Sequence, residues 1–118
     1  VADDEPLVLQ FVTTVLTAAG FSVTRVTDGL EAVDAFRAGP PFDVALLNVE
    51  MPRCSGIEAL KVIRAVSTMP IVVFSGDGRN KVPALAAGAT EFVETPFHSV
   101  AELLRLVRHV IDGRPTKT

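Results

Sequence analysis

The stretch Phe42-Asp43-Val44-Ala45-Leu46-Leu47-Asn48-Val49-Glu50-Met51-Pro52 decides how this chain folds. Val44 to Leu47 are apolar at successive rather than alternate positions. A strand of that kind is buried on both faces, as in a parallel sheet covered by helices on each side. Polar groups arrive at Asn48 and Glu50, where the strand gives way to loop. Ile71 to Phe74 repeats the pattern and ends on Ser75. Phe92 to Glu94 is a shorter strand that runs into Thr95-Pro96. Phe21 to Val26 alternates, which predicts an edge strand. Val1 and Ala2 read as the last two residues of one more strand, directly before Asp3 and Asp4.

Helix-period stretches fill the gaps. Pro6 to Ala19 opens with Pro in its first turn, stops at Gly20, and is predicted to bury Leu7, Phe11, Val15 and Ala18. Leu30 to Ala38 follows an Asp28-Gly29 turn. Gly56 to Val66 is predicted to bury Ile57, Leu60 and Ile63. Between Pro83 and Gly88 there is room for little more than one turn. His98 to Ile111 carries Val100, Leu103, Leu104, Val107, Val110 and Ile111 at helical spacing, with Glu102, Arg105, Arg108 and Asp112 expected outside.

The order is therefore βα five times over. Right-handed crossovers make a doubly wound parallel sheet the default for a (βα)5 chain, with three layers, α/β/α. Two residues cannot cross a sheet at about 3.3 Å each. The expectation is thus one domain over residues 1–112 with a few residues of its first strand missing. Residues 113–118 are polar and read as the start of a linker or tail.

Composition narrows the function. The 118 residues carry 11 basic and 14 acidic side chains, a net charge of -3, which gives no footprint for direct nucleic-acid binding. Trp and Tyr are absent, so there is no base-stacking platform of the usual kind. The single cysteine, Cys54, forbids an internal disulfide and fits a cytoplasmic setting. No apolar run approaches the about 20 residues that span a bilayer.

In an open α/β sheet, ligands bind beyond the carboxyl ends of the strands. Asp3, Asp4, Asn48, Ser75 and Thr95 all fall at such ends, and they converge in space if the strands are placed correctly. Adjacent carboxylates there can hold a hard cation through oxygen, and a hydroxyl with backbone N–H groups can hold phosphoryl oxygens. Each residue also has a plainer reading. Asp4 would serve as a helix N-cap. Ser75-Gly76-Asp77-Gly78 reads as a turn, with no Lys-Ser/Thr following to suggest a nucleotide loop. Phe92 alone reads as core. His98 and His109 have no ligand companion at helical spacing.

Taken together, the pieces resemble the receiver domains of two-component response regulators over essentially the whole chain. They are Asp3-Asp4-Glu5, Asp28-Gly29-Leu30-Glu31-Ala32, the 42–52 stretch followed by Gly56, Pro70 to Ser75, and Gly88 to Phe97. The resemblance implies a flavodoxin-like fold with strand order 2-1-3-4-5. It implies that Asp3 and Asp4 hold Mg²⁺, that the Glu50 carbonyl also ligates it, and that position 48 is the phosphoacceptor. It further implies that Ser75 and position 95 contact the phosphoryl group, that Phe92 is an aromatic switch, and that the Thr95-Pro96 bond is cis.

Two departures matter. Asn48 stands where the family has an Asp, and Thr95 where it has a Lys. A neutral amide is a poor nucleophile, and a threonine supplies no cation. Losing one negative and one positive group together leaves the local net charge unchanged, whereas losing the Lys alone would leave three carboxylates uncompensated. The expectation is an atypical receiver, not an enzyme, binding Mg²⁺ weakly through Asp3, Asp4, Asn48 and Glu50. It would signal by contact with a histidine kinase, an output domain or another receiver, including a second copy, through the fourth helix, fifth strand and fifth helix. The alternative is an ordinary phosphotransfer-competent receiver whose Asp was replaced by Asn48.

Overall fold

The computed structural model describes residues 1–39 and 41–112. The expected linker, 113–118, lies outside the described residues. Three strands form a continuous parallel sheet: β1 (Ala45–Asn48), β2 (Ile71–Ser75) and β3 (Glu91–Glu94), in the order β1-β2-β3. Ala45 pairs with Ile71 and Asn48 with Phe74, while Val72 pairs with Glu91 and Ser75 with Glu94. All five residues of β2 are buried, as its unbroken apolar run requires of a central strand.

Beyond β1 the sheet continues through single residues. Ala2 makes parallel bridges to both Leu47 and Val26. The spatial order is therefore Val26, Ala2, β1, β2, β3, which is the expected 2-1-3-4-5. The predicted edge strand Phe21 to Val26 is corrected to a bridge at Val26. The reason is its neighbour: Val26 donates to the Val1 carbonyl and accepts from Asp3 N, and Val1 N donates to Thr24 O. Within the segment, the bonds to Val1–Asp3 come from Thr24 and Val26, whereas Phe21 N turns back to Leu16 O.

Helices α2 (Gly29–Ala38), α3 (Gly56–Arg64) and α4 (Lys81–Ala86) cover one face, and α1 (Pro6–Ala18) and α5 (Val100–Asp112) the other. The strands divide their side chains accordingly. Leu47, Ile71 and Val73 pack with Ala32, Leu60, Ile63 and Ala84, whereas Leu46, Val72 and Phe74 pack with Val12, Leu16, Leu103 and Val107.

The helix ends follow local chemistry. Asp28 caps α2 by accepting from Glu31 N at 2.9 Å. Ser55 and Glu58 form a reciprocal capping box on α3. A 3-10 turn (Gly78–Asn80) leads into the six-residue α4, which ends near Gly88 at φ +107°. Arg64 ties this corner together, donating to the carbonyls of Gly88, Ser67 and Met69.

The face of α1 is a correction. Leu9, Val12, Val15 and Leu16 are buried, while Leu7 is 74% exposed and Phe11 and Ala18 are also exposed. This helix is apolar at most positions, so more than one stripe satisfies helical spacing, and docking against the sheet and α5 selects among them. On α5, Leu103, Val107 and Val110 are buried as expected, but Val100 is exposed in the first turn. Arg105, Arg108 and Asp112 are exposed; Glu102 is half-buried, and its carboxylate accepts from His98 N.

Candidate functional site

The carboxyl ends of the strands open onto a cavity of about 600 Å³. Asp3, Asp4, Glu5, Asn48, Glu50 and Thr95 line its polar side, and Leu7, Val8, Phe11, Phe74 and Phe97 its apolar side. Phe97 stacks on Phe11 with centroids 6.5 Å apart and tilts onto Phe74 at 5.4 Å. Thr95-Pro96 is a cis peptide that delivers Phe97 to this wall.

Asp3 is almost wholly buried, at 2% exposure. Its Oδ1 accepts from Glu5 N at 2.9 Å and from Asn48 Nδ2 at 3.2 Å. Burial pushes its carboxyl up to about 6, with Asp4 alongside adding to the rise and the Glu5 N–H opposing it.

Asn48 also donates to the Glu50 carbonyl at 2.8 Å. Both neighbours are acceptors, so only the NH₂ end of the amide can face them. The amide nitrogen thus lies between Asp3 and the Glu50 carbonyl, two of the groups that the family resemblance assigns to a cation. Among the described residues no cluster of three or more His, Cys, Asp or Glu is arranged to hold a metal. Two carboxylates and a carbonyl are at hand, but a cation entering between them must first turn the amide away. The amide adds no formal charge to this donor set.

Ser75 does not line the cavity. It is fully buried at the end of β2, and its hydroxyl lies 2.8 and 3.0 Å from the two carboxylate oxygens of Glu50. Phe92 lies apart as well, half-buried on β3 against the α2, α3 and α4 face of the core. The structure thus gathers Asp3, Asp4, Asn48, Glu50 and Thr95 around one space. Ser75 joins them through the Glu50 side chain, and Phe92 does not join.

Three participants were not legible in the sequence. The Glu50 carboxylate is one, since only its carbonyl was expected to matter. Asn80 is another, donating to Glu50 Oε2 at 2.9 Å from a turn with no diagnostic spacing. The third is Arg53, at φ +66°, which donates to the Asp28 carboxylate at 2.6 and 2.9 Å and pins the loop after β1 to the start of α2. Backbone and Arg53 donors hold Asp28 below the ordinary carboxylate range. Cys54 sits beside this clamp, half-buried, with its thiol pushed up by burial, which argues against a reactive role.

Comparison with known proteins agrees with this geometry. Residues 1–108 match the family model of the response regulator receiver domain. The transcriptional regulatory protein KdpE of Mycobacterium tuberculosis is 39% identical over 108 residues, covering 90% of this chain and 47% of KdpE. The chain spans about half the length of that relative. The Francisella response regulator 1452 receiver domain superposes with a TM-score of 0.85 at 29% identity, covering 95% of this chain and 93% of that one. The receiver domain of sensor histidine kinase PA1611 from Pseudomonas aeruginosa PAO1 superposes with a TM-score of 0.85 at 27% identity, covering 94% and 93%, and that structure has a magnesium ion coordinated in its active-site cleft. By sequence and by fold, this chain belongs to the response-regulator receiver domains of two-component signalling.

Proposed function

We propose that this receiver is atypical and acts through protein contacts, without phosphorylation of Asn48. The observation that carries the reading is the hydrogen bonding of Asn48. Its amide nitrogen is committed to Asp3 Oδ1 and the Glu50 carbonyl, and an amide oxygen carries no formal charge with which to attack phosphorus. Thr95 brings no cation to the cavity for phosphoryl oxygens. Mg²⁺, if bound through Asp3, Asp4, Asn48 and the Glu50 carbonyl, would supply positive charge to the cavity, and it would bind weakly because one anionic ligand is missing.

The partners are signalling proteins: a histidine kinase, an output domain, another receiver or a second copy of this chain. The surface is α4, β3 and α5. Val82 and Leu85 are exposed on α4, and Arg105 and Arg108 are exposed on α5, so both helices offer side chains suited to protein pairing. A cytoplasmic location accords with this role, and no described helix is long and apolar enough to cross a membrane.

The test is treatment with acetyl phosphate followed by intact-mass and peptide mass spectrometry. No added phosphoryl group is expected. Stoichiometric acyl phosphate in the cavity would overturn the reading.

A further inference from the structure

The function proposed above uses Glu50 only through its main-chain carbonyl. Its side chain is exposed to solvent on one side, yet it is held by defined donors. Ser75 Oγ lies 3.0 Å from Oε1 and 2.8 Å from Oε2, and Asn80 Nδ2 lies 2.9 Å from Oε2. The proton count fixes the direction of these bonds. Asp77 N donates to Ser75 Oγ at 2.9 Å and Asn80 Nδ2 does so at 3.0 Å. Both lone pairs of the hydroxyl are then in use, and its single proton is left for the carboxylate. A fully buried hydroxyl needs that acceptor, and an anionic one makes the stronger bond.

The same residue faces the cavity at its other end, where its carbonyl accepts from Asn48 at 2.8 Å. Glu50 therefore joins the 48 position to the 3-10 turn Gly78–Asn80 and to α4 directly after it. That segment buries little apolar surface of its own. Ala84 is its one fully buried residue, Val82 is 75% exposed, Leu85 is 42% exposed, and Pro83 offers no N–H.

We infer that Glu50 is a positioning residue, an internal carboxylate latch that fixes the 3-10 turn and α4 in one arrangement through Ser75 and Asn80. It deepens the proposed function, because α4 belongs to the face assigned to protein contacts. With this latch closed, the exposed pair Val82 and Leu85 is held in one place on α4. Without it, Asn80 loses its anionic partner and the turn keeps fewer bonds to the end of β2, those of Asp77 N and Asn80 Nδ2 to Ser75 Oγ.

Amide hydrogen exchange on the whole chain tests the latch. Glu50→Ala and Asn80→Ala are each expected to speed exchange across Asp77–Ala86 by about tenfold or more, the scale of one charge-assisted hydrogen bond. Amides of β2 and α5 should keep their parent rates. The double variant should exchange no faster than the quicker single variant, because both changes open the same contact. Glu50→Gln, which keeps an acceptor without the charge, should fall between parent and Glu50→Ala. Parent rates at Asp77–Ala86 in the single variants, or effects that multiply in the double variant, would overturn the latch. Phosphodonor labelling of the parent bears on the proposed function alone and leaves this exchange pattern standing, so the two can fail separately.

Discussion

The side-chain nitrogen of Asn48 donates to the carbonyl oxygen of Glu50 at 2.8 Å, closing the space between that carbonyl and the Asp3 carboxylate. A cation seeking these oxygens has to break two hydrogen bonds and rotate the amide. Asn48→Asp reverses the situation, since a carboxylate at 48 would repel Asp3 and create demand for a cation. Calorimetric titration is expected to show weak Mg²⁺ binding in the parent and binding tightened by about tenfold or more in Asn48→Asp. Equal affinities would show that the amide does not stand in the way.

The substitutions at 48 and 95 belong together on charge grounds. Acetyl phosphate is expected to label the double variant Asn48→Asp, Thr95→Lys well and the single variant Asn48→Asp poorly, because the single variant adds a third carboxylate with no compensating cation. Full labelling of the single variant would make Asn48 an inactivating change in an otherwise working receiver.

Asp3 gives the fold a pH dependence of defined sign. Its carboxyl rises from an ordinary 3.8 to about 6 in the folded state, mainly through burial. The folded chain then holds this proton more tightly than the unfolded chain does, so the contribution to stability is full below 3.8 and is lost as pH rises through about 6. Asp3→Asn removes the buried charge while keeping an acceptor for Glu5 N and Asn48. Urea denaturation should find this variant more stable by about 1–2 kcal/mol at neutral pH and unchanged near pH 4. A variant less stable than the parent at neutral pH would contradict this account.

Gly56 is the first residue of α3 and is fully packed. A Cβ there would run into the carbonyl oxygen of Asn48 and reach within 2.8 Å of its carbonyl carbon. Both are backbone atoms, which cannot swing aside. Gly56→Ala should lower the unfolding free energy by about 1–3 kcal/mol and shift the Asn48 amide resonances in NMR spectra. An unperturbed Asn48 would mean the loop after β1 gives way more easily than its packing implies.

Cys54 should be a sluggish thiol. Burial, with Glu58 and Asp28 nearby, pushes its pKa above 9.0. At neutral pH, alkylation by iodoacetamide is expected to run at least about threefold slower in the folded chain than in the chain unfolded in urea. Equal rates would restore the case for a reactive site.

Much of this protein was legible because its local signals agree. The short apolar runs Val44 to Leu47 and Ile71 to Phe74 named the central strands, since runs of that length between polar loop residues fit strands covered on both faces. The strand-end positions of Asp3, Asp4, Asn48 and Thr95 followed, because a parallel sheet puts the carboxyl ends of all its strands at one rim. Less was readable where one sequence pattern admits several packings. Helical spacing allowed Leu7 and Phe11 as the inner face of α1, and docking chose Leu9, Val12, Val15 and Leu16 instead. Alternation over Phe21 to Val26 promised a strand, but a strand exists only where a neighbour offers hydrogen bonds, and Val26 alone pairs in the sheet.

By itself, then, the sequence determined the layer order, the rim on which polar groups collect and the chemical poverty of positions 48 and 95, because periodicity and residue type are local properties. Only the tertiary structure decided what those groups bond to. The turning of Asn48 toward Glu50, the meeting of Glu50, Ser75 and Asn80, and the clamp of Arg53 on Asp28 join residues 2, 25, 5, 30 and 25 positions apart along the chain. Hydrogen bonds are directional and short, so such contacts depend on where loops from different strands come to rest, and that is settled only when the whole sheet has been packed.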